Sequence, residues 1–137
     1  MKSSVLMASM AAAVLLAATG AQAADTLAKI AESGKITLAY RESSVPFSYL
    51  EGPGKPIGFS VELSNAVVEA VKKKLNKPNL QVALMPVTSQ NRIPLITNGT
   101  IDLECGSTTN NTARGKDVAF AINHFYTGTR LLVKKSS

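Results

Sequence analysis

The sequence predicts an α/β fold: a mainly parallel sheet flanked by helices. Three observations carry this. Short apolar runs of strand length recur at Ile36–Tyr40, Leu80–Met85 and Ile101–Glu104; apolar residues at helical spacing lie between them; and Gly, Asn or Pro marks the changes of period. Strands separated by helices of this length imply right-handed βαβ crossovers.

Residues 1–23 stand apart from that pattern. Lys2, the apolar run Val5 to Ala18 and the small-x-small triplet Ala21-Gln22-Ala23 predict a cleavable signal peptide, hence export. The run is shorter than the roughly 20 residues a spanning helix needs, and no cysteine stands at the cleavage site, so neither a membrane anchor nor a lipid anchor is expected. Residues 24–137 then form one small domain.

Thr26 to Ser33 reads as a short helix with Leu27, Ile30 and Ala31 on one face and Gly34 closing it. The strand Ile36–Tyr40 follows and gives way abruptly to Arg41-Glu42-Ser43-Ser44. Pro46, Gly52, Pro53, Gly54, Pro56 and Gly58 exclude a helix and leave two short extended pieces around a turn. Ser60 to Leu75 is the strongest helix, its apolar face expected from Leu63, Val67, Val68, Val71 and Leu75, with Asn76 and Pro78 ending it.

After the strand Leu80–Met85, Thr88 or Ser89 caps a short helix ending at Asn98-Gly99. The strand Ile101–Glu104 runs into Cys105-Gly106-Ser107-Thr108-Thr109-Asn110-Asn111-Thr112-Ala113-Arg114. Taken alone, that polar run is a turn capping a helix near Thr112; placed at a strand exit with an arginine beyond it, it is also a receiver for a carboxylate. Val118–Phe120 and Thr129–Val133 are expected as later strands.

Charge and motifs narrow the function. Without Lys2, 14 basic residues face nine acidic ones. The lysines at 72–74 and 77 read as a solvated helix face, and zinc-finger spacing and RNP-like aromatics are missing, so nucleic acid is not an expected partner. The single histidine, His124, and the single cysteine, Cys105, form no catalytic or metal-ligand spacing. No cofactor or metal is expected, and the chain is not expected to be an enzyme.

The polar clusters fall at equivalent places. Arg41 follows the first strand, Ser89 and Arg92 the second, and Ser107, Thr109 and Arg114 the third. In an open parallel sheet these points share the carboxyl edge, where such folds bind ligands. Any one arginine commonly pairs with a surface carboxylate; three at equivalent strand ends call for an anion between them. A small ligand with two carboxylates supplies it, and guanidinium groups suit its bidentate recognition.

The segments Arg41–Tyr49, Glu69–Pro78, Thr88–Leu95, Asn98–Thr100 and Glu104–Asn111 make the chain resemble the periplasmic glutamate/aspartate-binding proteins of polar amino-acid ABC importers, solute-binding family 3. The resemblance implies a type 2 periplasmic binding protein-like lobe, a periplasmic location, glutamate or aspartate as ligand, permease subunits as partners in the full-length protein, and a monomer. It implies that Arg114 and Thr109 hold the ligand's α-carboxylate, that Ser107 helps with the α-ammonium, and that Arg41, Ser89 and Arg92 receive the side-chain carboxylate. Family members also carry an acidic partner for the ammonium on a second lobe and a second cysteine near the chain's end. Against that pattern, residues 24–137 are expected to be the N-terminal segment of lobe 1, an incomplete fold without the second lobe or the returning segment, with Cys105 a free thiol. The alternatives kept are a truncated remnant that no longer binds and an enzyme on the same fold.

Overall fold

The computed structural model describes residues 25–128 and 130–135. The expected leader, residues 1–23, lies outside the described residues, as does Thr129.

Helix α1 (Thr26–Ser33) begins where the Asp25 carboxylate accepts the Leu27 N–H at 2.9 Å and ends where Gly34, at φ 67°, donates its N–H to Ile30 O. Strand β1 (Lys35–Tyr40) follows and is buried from Ile36 onward. That continuous burial is what a parallel strand covered on both faces requires. Strands β2 (Ser43–Ser44), β3 (Ser48–Gly52) and β4 (Lys55–Ile57) form a separate antiparallel sheet in the order β2-β3-β4, so the two extended pieces expected around a turn are a hairpin.

Helix α2 (Phe59–Leu75) starts from the loop carbonyls: Phe59 N donates to Pro46 O at 3.0 Å and Ser60 N to Phe47 O at 2.8 Å. Gly58 makes this seat possible, because its φ is 118° and a Cβ there would lie 2.7 Å from both Pro46 O and Phe47 O. Asn76, at φ 53°, ends the helix in the left-handed region. The buried face differs from the expected one. Ser60, Ser64 and Val68 are buried with Val71 and Leu75 packed nearby, whereas Val67 is 40% exposed. Ser64 tolerates burial by donating its hydroxyl to Ser60 O at 3.0 Å, whereas Ser60 Oγ has no partner among the described residues.

Strand β5 (Gln81–Pro86) pairs with β1 in parallel from Lys35↔Gln81 to Tyr40↔Pro86. Helix α3 (Arg92–Thr97) begins later than its expected cap; Thr88 instead closes the entering turn, its N–H donating to Asn91 Oδ1 at 2.7 Å and its Oγ1 accepting from Asn91 N at 3.2 Å. Strand β6 (Leu103–Glu104) pairs with the other side of β1, giving the parallel order β5-β1-β6. Alternation along β1 divides the core. Ile36 and Leu38 pack with Ile30, Val68 and Leu80; Ala39 packs with Val87 and Ile101, beside Leu95 and Ile96 of α3.

Two expected strands are absent among the described residues. Neither Val118–Phe120 nor residues 130–133 join a ladder, and Leu131 and Leu132 are 89% and 102% exposed. A strand is stable only with a paired neighbour and a buried face; both segments lack the neighbour, and residues 130–133 lack the buried face as well. Near Thr112 the chain forms a single 3-10 turn, Arg114–Lys116.

Candidate functional site

Parallel pairing brings the ends of β1, β5 and β6 to one edge, and the six residues expected to bind there make separate local contacts on the segments that follow those strands. Arg41, one residue past β1, is fixed at its backbone by Ser48: the buried Ser48 hydroxyl accepts Arg41 N–H and donates to Arg41 O, both at 2.8 Å. Its side chain reaches the β5 exit, where Nη1 donates to Ser89 Oγ at 2.8 Å. Ser44 Oγ meets Ser107 Oγ, past β6, at 3.2 Å. Arg114 curls back over its own loop, donating from Nη1 to Thr109 O at 2.9 Å while its N–H donates to Asn111 Oδ1 at 2.9 Å.

Arg92 is the buried member, 5% exposed. Its Nη1 lies 3.8 Å from Glu104 Oε1, and Glu104 Oε2 accepts from Thr108 Oγ1 at 2.8 Å. Burial lowers the Arg92 pKa from its ordinary value; Glu104 opposes that, and Arg41 and Arg114 push it further down. Arg92 thus feels the charge of Arg41 and of Arg114. Ser89, Ser107 and Thr109 are exposed along the same edge.

A cavity of about 530 Å³ adjoins this edge without containing it. Ser107 and Thr109 line it, but the three arginines and Ser89 do not; its far wall is residues 118–128. That wall is held by an edge-to-face contact of Phe125 with Phe47, ring centroids 4.9 Å apart, and by Asn110 Nδ2 donating to Asn123 Oδ1 at 3.3 Å. The arginine edge is an open wall, not a closed pocket. Among the described residues no group of His, Cys, Asp or Glu could hold a metal ion.

The sequence reading missed Glu104, Thr108, Ser44 and Ser48. Glu104 carried one legible signal, a carboxylate on the last strand residue with a glycine two positions on; the Ser48 clamp carried none, because it depends on a hairpin folding back onto β1.

The comparisons agree with this architecture. A glutamate/aspartate import solute-binding protein of Escherichia coli (strain K12) is 63% identical over 113 residues, 82% of this chain and 37% of that protein. An L-glutamate/L-aspartate-binding protein of Pseudomonas aeruginosa is 60% identical over the same shares. The chain thus spans 37% of the length of either relative. The crystal structure of a Phe-to-Trp mutant of the arginine-bound form of domain 1 from TmArgBP superposes with a TM-score of 0.61 at 21% identity, covering 72% of this chain and 71% of that one. The fold, a parallel sheet with flanking helices, is that of type 2 periplasmic amino-acid-binding proteins. Residues 36–137, which carry nearly all of both sheets and Arg41, Arg92 and Arg114, match the bacterial extracellular solute-binding proteins, family 3, and the chain belongs to that family.

Proposed function

We propose that this chain forms one ligand-facing wall of the substrate-binding component of an ABC importer for glutamate and aspartate. The placement of Arg41, Arg92 and Arg114 on the segments that follow three parallel strands, with Arg92 in the field of the other two, supports the reading, since an anion with two carboxylates offsets that charge. Arg114 and Thr109 take the α-carboxylate and Ser107 assists the ammonium; Arg41, Ser89 and Arg92 take the side-chain carboxylate. The names of the relatives in Escherichia coli and Pseudomonas aeruginosa support the choice of ligand. The protein is exported to the periplasm by residues 1–23, acts as a monomer delivering its ligand to membrane permease subunits, and binds without catalysing a reaction. An acidic group for the ammonium comes from a second lobe.

Titration with L-glutamate and L-glutamine, followed through the backbone amides of Arg41, Ser89 and Arg114, tests it. Saturable shifts are expected with glutamate, and at least about tenfold weaker binding with glutamine, because the amide forgoes a charge-assisted hydrogen bond of about 1.5–3 kcal/mol. Equal responses to the two amino acids would remove the assignment.

A further inference from the structure

Glu104 is a carboxylate built into a cluster that otherwise collects positive charge. Its side chain is 5% exposed and that of Arg92 6%, yet the two stand 3.8 Å apart, beyond hydrogen-bond distance. Arg92 Nε, Arg92 Nη1 and Glu104 Oε1 are all buried without a partner among the described residues. A purely structural ion pair closes to a charge-assisted contact of about 2.8 Å, since orphaned buried groups are costly. This one stays open, leaving Arg92 donors unspent beside Arg41 and Arg114. Glu104 is itself held: Thr108 Oγ1 donates to Oε2 at 2.8 Å, and Oε1 occupies the place of a side chain on Gly106, where a Cβ would lie 2.4 Å away.

We propose that Glu104 is a positioning residue that sets the charge of the site: seated against Gly106 and held by Thr108, it steadies Arg92 and offsets one of the three arginine charges, so that two positive charges remain for the two carboxylates of the ligand. The inference rests on the dicarboxylate reading above and adds to it the residue that fixes the charge match. Without Glu104, the Arg92 charge stands uncompensated in the field of Arg41 and Arg114, and any small dianion relieves it. Sulfate is the probe.

Thermal unfolding of the whole chain is followed at low ionic strength against added sodium sulfate. Glu104→Gln is expected to melt lower than the parent without sulfate, to recover most of the loss with it, and to show an apparent sulfate affinity at least about tenfold tighter. Glu104→Asp, which retains the charge, keeps the parent's sulfate response. A Glu104→Gln variant whose sulfate response equals the parent's overturns the proposal, because a packing role alone is indifferent to the anion. If Glu104→Gln does not fold, the paired Arg92→Gln, Glu104→Gln variant decides: it folds if an uncompensated Arg92 was the fault, and its failure overturns the proposal. Glutamate titration of the parent is read separately. A sulfate effect without glutamate binding removes the ligand assignment and leaves the charge role standing; glutamate binding without the sulfate effect does the reverse.

Discussion

Arg114 shows how much one side chain at this edge is asked to do. Its Nη1 closes the loop on Thr109 O at 2.9 Å, which leaves the rest of the planar fork for a carboxylate. Lysine keeps the charge but has a single ammonium, which cannot both close the loop and present two parallel donors. Arg114→Lys is therefore expected to weaken glutamate binding by about tenfold, and an unchanged dissociation constant by calorimetry would show that the loop only caps the turn after it. Cys105, next to Glu104, behaves differently. Burial raises its thiol pKa above the ordinary 9.0, the neighbouring Ser64 hydroxyl lowers it, and Glu104 raises it. Below pH 9.0 the thiol is protonated in both folded and unfolded chains, so its contribution to stability is constant there; above it the unfolded chain releases a proton that the folded one keeps, and stability falls as pH rises. Melting temperatures at about pH 7 to 10.5 should therefore drop more steeply for the parent than for Cys105→Ser, and parallel slopes would assign the loss to other groups.

At the scale of elements, the seat of α2 ties the helix to the loop between β2 and β3. Gly58→Ala sets a Cβ 2.7 Å from Pro46 O and Phe47 O and strains a φ of 118°, so it is expected to cost at least about 2 kcal/mol in chemical denaturation. Gly115→Ala, which meets nothing within 4 Å, serves as the control. The strands β1 and β5 and the helix α2 were legible because their apolar periods are long and unbroken. The face of α2 was misread at Ser60 and Ser64 because period counting rewards apolar residues, while these two are buried as small ones, with Ser64 bonded to its own helix. The strands expected at Val118–Phe120 and in residues 130–133 failed for another reason: local alternation says nothing about whether a partner stands alongside. Arg41, Ser89, Arg92, Ser107, Thr109 and Arg114 could be assigned to the segments that follow β1, β5 and β6 because strand exits are countable in sequence. Glu104 could not be assigned a role, since its value depends on a gap beside Gly106 and on a neighbour, Arg92, twelve residues away.

For the whole molecule, the open form of the wall governs what the chain can do. Ser89, Ser107 and Thr109 face solvent, and water competes for each contact a ligand makes. If the proposed second lobe adds two or three charged hydrogen bonds of about 1.5–3 kcal/mol each, residues 24–137 on their own are expected to bind glutamate in the millimolar range or weaker. Calorimetry against glutamate, together with a melt by circular dichroism, checks this; a cooperative melt with micromolar binding would show that one wall suffices. Association is expected in the same samples, because β5 presents Val82 and Leu84 at 42% and 49% exposure on an edge strand, and Leu131 and Leu132 are uncovered. The Ser48 clamp bears on how such a wall can be watched. A hydroxyl that accepts Arg41 N–H and donates to Arg41 O, with no surface of its own exposed, lets that amide exchange its hydrogen for deuterium only when the hairpin lifts from the end of β1. The Arg41 guanidinium, hung from this fixed point, is free to leave Ser89 for a ligand without altering that rate. Deuterium uptake at the Arg41 amide thus times the opening of the wall itself, separately from the occupancy of the site it frames.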